Sequence, residues 1–147
     1  MYPGAHDPDR AAVVMAGTGE TVTYGELEQR SIQLARVWHD AGLRPGDHVA
    51  ILLENHPRYF EAVWAALRSG LYYTPVNHHL TADEVAYVLG DCGARAVVTS
   101  PAHSSKLAPL TDTVAVLVVG AEYDEALDRQ PTEPLPDQPC GHGMFYS

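Results

Sequence analysis

The chain has 147 residues, 46% of them hydrophobic, enough for one domain with a buried core. Nine Lys and Arg stand against 19 Asp and Glu, a formal charge of -10, which argues against nucleic-acid binding because such proteins carry a basic stripe. No run approaches the roughly 20 apolar residues that span a bilayer, no basic-then-apolar leader opens the chain, and Cys92 and Cys140 lack metal-ligand spacing, so a cytoplasmic, thiol-reduced protein is expected.

In chain order, residues 12–16 are a short apolar run, 17–20 a glycine-containing turn, and 21–24 alternate. That pattern predicts a β-hairpin decorating a main sheet. Thr23 and Glu26 match a capping box, and the helix after it puts Leu27, Ser31, Leu34, Ala35 and Trp38 on one face, with Gly42 as its stop. Pro45-Gly46-Asp47 is turn chemistry. The unbroken apolar run 49–53 predicts a strand buried on both faces, as in a parallel sheet. Pro57 suits the first turn of a second helix, whose apolar stripe is expected to be Phe60, Val63, Trp64 and Leu67, closed by Gly70.

Residues 71–76 read as the next strand, with Pro75 at its end or at an irregularity. A second capping box, Thr81 with Glu84, opens a helix that buries Val85, Val88, Leu89 and Cys92 and ends at Gly93. Strands follow at 96–99 and 114–119, with a short helix over 101–110 between them and another over 123–129. Four prolines in residues 131–139 forbid regular structure there, and residues 144–147 look like a strand just starting. Strands alternating with helices at these lengths predict an α/β fold with a mostly parallel sheet flanked by helices.

Chemical motifs are scarce. There is no G-x-G-x-x-G, Walker A, H-E-x-x-H or G-x-S-x-G sequence, so no catalytic or metal-binding residue is assigned. Gly17-Thr18-Gly19 sits in the hairpin, where a plain turn explains it better than a phosphate loop. His78-His79 reads as loop structure rather than a metal site, and His56 and His142 are isolated. Capping explains Glu26, Asp83 and Glu84 better than acid–base chemistry does. Trp38, Phe60 and Trp64 could line an apolar ligand tunnel but fit a core better. Tyr72 and Tyr73 face opposite sides of a strand, so one could approach a ligand cavity.

Read as a string, the chain carries a series of segments in register. They are Thr21-Val22-Thr23-Tyr24-Gly25-Glu26-Leu27, Gly42-Leu43-Arg44-Pro45-Gly46-Asp47-His48-Val49-Ala50-Ile51, and Asn55 with Trp64-Ala65-Ala66-Leu67-Arg68-Ser69-Gly70. Tyr73-Thr74-Pro75-Val76-Asn77-His78-His79-Leu80-Thr81 and Ala94-Arg95-Ala96-Val97-Val98-Thr99 follow. In this order they resemble the N-terminal region of the adenylate-forming superfamily, with a flavour closest to bacterial fatty-acyl-CoA and aryl-CoA synthetases. Tyr146-Ser147 would be the first two residues of that family's phosphate loop.

The resemblance implies that residues 1–130 form an α/β N-terminal subdomain of the synthetase large domain. Residues 131–139 would then be a Pro-rich connector, and 140–147 a strand leading into a truncated phosphate loop. It makes Ser147 the one nucleotide-contacting candidate, by its hydroxyl and backbone N–H. It implies ATP, Mg2+ and CoA for a full-length enzyme that turns a small-molecule carboxylate into an acyl-adenylate and then a thioester. This chain alone is expected to be inactive and, with an apolar face exposed, to form a homodimer or to adhere. A carrier-protein-loading adenylation domain and a non-enzymatic α/β binding module are the alternatives.

Overall fold

The computed structural model describes residues 2–145. The chain opens with two antiparallel strands, β1 (Ala11–Val14) and β2 (Thr21–Thr23). The hairpin is not hydrogen-bonded to the main sheet, which corrects the expectation that it decorates that sheet. It runs directly into α1 (Tyr24–Asp40), whose capping box is complete. Thr23 Oγ1 accepts from the Glu26 N–H at 3.1 Å, and Glu26 Oε2 accepts from the Thr23 N–H at 2.8 Å.

The main sheet holds β3 (His48–Leu52), β4 (Tyr72–Pro75), β5 (Ala94–Thr99), β6 (Ala115–Val118) and β7 (His142–Gly143). Their order is β6-β5-β3-β4-β7, and every neighbouring pair is parallel. The central strand β3 is apolar and buried from Val49 to Leu52 because both its faces are covered. Val49 and Ile51 pack under α1, under α2 (Tyr59–Arg68) and under Tyr123 and Leu127 of α4 (Ala121–Asp128). Ala50 and Leu52 pack under α3 (Ala82–Cys92) and Leu107. The result is three layers, helix on sheet on helix, as the alternating pattern predicts.

Where structure and sequence reading differ, the causes are local. The buried face of α2 is Ala62, Ala65 and Ala66 with Glu61 and Arg68, not the Phe60–Val63–Trp64–Leu67 stripe. Small side chains let α2 lie close to both α1 and the sheet, so the bulky ones are left at the margin, with Val63 half-buried against the core cluster and Trp64 and Leu67 also half-buried. Phe60 is 45% exposed, and Trp64 meets the Tyr2 ring edge-on at 5.8 Å. The helix expected over 101–110 is a 3-10 helix, Ser104–Leu110, with Pro109 inside it; proline lacks the N–H that an α-helical bond needs. Among the described residues the closing strand β7 is His142–Gly143, and Tyr146 and Ser147 of the strand expected at 144–147 lie outside the described residues. Pro75 ends β4, and β7 pairs only with Tyr72 and Tyr73, so the missing proline N–H spoils no ladder.

Candidate functional site at the carboxyl edge of the sheet

Open α/β sheets bind ligands outside the carboxyl ends of strands, where successive connections leave for opposite faces. Here β3 sends its chain to α2 on one face, while its neighbours β4 and β5 lead to α3 and the 3-10 helix on the other. Three loops therefore meet around the end of β3, and they bring together Glu54, Ser100, His103, His78 and Lys106.

Glu54 is the hub. The Ser100 hydroxyl donates to Glu54 Oε2 at 2.8 Å, and His103 Nε2 lies 3.4 Å from the same oxygen. The His78 ring is 5.2 Å from that of His103 and 4.1 Å from that of His79. Lys106 Nζ donates to the His78 carbonyl at 2.6 Å. Burial acts to raise the Glu54 carboxyl, but a backbone N–H, the Ser100 hydroxyl, His103 and His56 together hold it below its ordinary value. Burial, with His79 and His103 beside it, lowers His78. This cluster ties loops together. The Ser100 proton points to a carboxylate rather than to an imidazole base, so the set lacks the order of a nucleophile–base pair.

A second ionic centre is buried where α1, α2 and α4 meet. Glu61, fully buried, sits 3.3 Å from Arg30 Nε and 3.0 Å from Arg58 Nη1. It also accepts from the Tyr123 hydroxyl at 2.9 Å. Arg30 reaches on to Asp124 and Asp128. Burial raises Glu61 above the ordinary carboxylate value against the pull of Arg58, Arg30 and Tyr123. Burial and the adjoining Glu61 raise the Tyr123 phenol well above its ordinary value. This centre joins α1, α2 and α4. Sequence reasoning missed it, since the only local signal is the three-residue spacing of Arg58 and Glu61, which on an isolated helix indicates a surface pair.

The residues singled out in sequence take the following places. Gly17-Thr18-Gly19 forms the hairpin turn, where Gly19 adopts φ +74° and Thr18 Oγ1 accepts from the Glu20 N–H. His78 and His79 occupy the β4–α3 loop, with His78 drawn toward Glu54 and His103. His56 Nδ1 accepts from the Arg58 N–H at 3.1 Å. His142 lies in β7, 5.8 Å from the Tyr72 ring, which stacks at 4.9 Å on His48. Tyr73 packs on the α1–α2 side. Glu26 and Glu84 cap their helices, Asp83 is exposed in the first turn of α3, and Trp38 is core. Cys92 and Cys140 are both free thiols. Ser147 lies outside the described residues.

Among the described residues, no three of His, Cys, Asp and Glu gather to hold a metal ion. What β7 contributes is a direction. It runs parallel to β4, and the Met144 N–H still bonds the Tyr73 carbonyl at 2.8 Å, so the chain leaves through the carboxyl edge.

Comparison with known proteins gives this edge a context. Feruloyl-CoA synthase of Amycolatopsis sp is 37% identical over 128 residues, 87% of this chain and 26% of that protein. The fatty acid–[acyl-carrier-protein] ligase ScoC of Streptomyces coeruleorubidus is 40% identical over 94 residues, 64% of this chain and 18% of that protein. The crystal structure of Brucella canis acyl-CoA synthetase superposes with a TM-score of 0.83 at 25% identity, covering 99% of this chain and 30% of that one. The chain thus spans only a minor part of each relative's length. The profile of the family described as AMP-binding enzyme matches residues 3–141. With nearly its whole length inside that match, the chain belongs to the AMP-binding family of adenylate-forming ligases.

Proposed function

We propose that this chain is the N-terminal scaffold of an ATP-dependent acyl-CoA synthetase. The whole enzyme joins a small carboxylate to ATP, releasing pyrophosphate and forming an acyl-adenylate; the thiol of CoA then displaces AMP to give a thioester. The observation that carries this reading is the 37% identity to a feruloyl-CoA synthase along 87% of the chain. The scaffold's contribution is mechanical: it holds β7 in a sheet whose carboxyl edge faces the nucleotide, with Ser147 as the first phosphate contact. No described helix is long and apolar enough to cross a membrane, which suits an enzyme working in the cytoplasm.

One observation favours a second acceptor. The 40% identity to a ligase that loads an acyl-carrier protein makes a carrier thiol the alternative to CoA. The test takes the complete gene product and a panel of aliphatic and aromatic carboxylates. Carboxylate-dependent ATP–pyrophosphate exchange, followed by thioester formation on CoA, is expected. Thioester formation only on a carrier protein would replace the first reading with the second, and absence of exchange with every carboxylate would remove both.

A further inference from the structure

A two-residue edge strand has little of its own to fix its register, yet a slip of one residue reverses which way every side chain points. β7 is such a strand, and a connector without helix or strand precedes it. Something else must set where it stops, and the corner between α2 and β4 has the required shape.

Gly141 is buried against that corner. Its N–H bonds the Leu67 carbonyl at 2.8 Å, and the His142 N–H bonds the Leu71 carbonyl at 3.1 Å. A Cβ at Gly141 would lie 2.6 Å from the Ala66 carbonyl oxygen and closer still to that of Leu71. Both obstacles are backbone, so neither can swing aside. Two residues earlier the same fit recurs in reverse. Pro139 presses on Gly70, where a Cβ would lie 2.7 Å from Pro139 Cγ, and Gly70 has φ +70°. Sliding β7 by one position would force Cys140 or His142, each with a side chain, into the notch that only glycine fits.

Arg68 locks the approach. Its side chain is 2% exposed, and Nη1 donates to Gln138 Oε1 at 2.9 Å while Nη2 donates to Glu28 Oε2 at 2.6 Å. The Tyr2 ring lies 5.0 Å away. A buried guanidinium held from α1 thus grips the connector three residues before the notch. Upstream, Arg36 donates to the Glu133 and Pro134 carbonyls.

We propose that this corner is a register key: Gly141, Gly70 and the Arg68–Gln138 pair are positioning residues that set how far the chain beyond β7 projects from the carboxyl edge, and so where the nucleotide-contacting segment lies. The proposal rests on the adenylate-forming reading given above. A misplacement of about 1 Å near reacting groups costs on the order of a hundredfold in rate, so this register bears directly on the ATP step.

The test uses the complete protein with Gly141→Ala, Gln138→Leu and Gln138→Glu, the last keeping an acceptor for Arg68. Two quantities are read: amide hydrogen exchange at His142 and Met144, and the KM values for ATP and for the carboxylate in pyrophosphate exchange. Gly141→Ala and Gln138→Leu are expected to speed exchange at those two amides. They should also raise the KM for ATP about tenfold or more with the carboxylate KM unchanged, while Gln138→Glu behaves as wild type. Should Gly141→Ala fail to fold, the Gln138 pair decides alone. Unchanged amide exchange in Gln138→Leu overturns the key itself. Faster exchange with an unchanged KM for ATP overturns its link to the nucleotide. Wild-type protein inactive with every carboxylate overturns the functional reading and that link with it, while the amide data still judge the key.

Discussion

Glu61 is a charged residue in a place built for an apolar one. It has no solvent contact, and its compensation comes from Arg30, Arg58 and the Tyr123 hydroxyl. Removing one partner from such a buried set leaves the others uncompensated. Glu61→Ala is expected to cost about 3 kcal/mol, the low end of the usual range because both guanidiniums keep some contact with water. Urea denaturation measures it, and a loss below about 1 kcal/mol would mean the centre behaves like a surface pair. Glu54 gives a prediction in pH. Its folded-state pKa lies below the ordinary value, so its contribution to stability is present above the unfolded carboxylate pKa. That contribution is lost as pH falls through the lower, folded-state pKa. Stability of wild type over Glu54→Gln should be evident at neutral pH and close in acid, below about pH 4. A gap that stays constant on acidification would exclude this linkage.

At the scale of elements, α2 shows how packing overrides pattern. An apolar stripe at helical spacing is ordinarily the buried face, yet Phe60 is exposed and three alanines face the core. α2 is squeezed between α1 and the sheet, and close approach of two layers selects small side chains. Ala65→Leu should therefore cost about 1–3 kcal/mol through overpacking, and Phe60→Ala less than about 1 kcal/mol, as for most surface positions. Thermal or urea midpoints of the two variants decide, and the reverse ranking would restore the aromatic stripe as the core face. The capping boxes of α1 and α3 behave differently. Each involves residues three apart, so nothing distant can rearrange them, and both appear as the sequence indicates.

At the scale of the whole molecule, the proposed reading makes this chain a scaffold and leaves catalysis to the rest of the enzyme. The described residues gather polar groups at the carboxyl edge, but these tie loops together. The chain of 147 residues by itself is expected to show no carboxylate-dependent ATP–pyrophosphate exchange. Turnover above background from the purified chain would overturn that division of labour.

Much of the architecture was legible in the sequence because its signals are short-ranged: a doubly apolar run for β3, capping boxes for α1 and α3, prolines for the connector. Residue spacing alone determined the alternation of strands and helices, and hence a parallel sheet covered on both faces. Only the tertiary structure decided which face of α2 is buried, that Glu61 meets Tyr123 across 62 positions, that Glu54 meets Ser100 and His103, and that Gly141 fits a notch made by Ala66 and Leu71. Each of these depends on strand order and layer spacing. Both are set by the packing of the entire chain, and no window of neighbouring residues contains them.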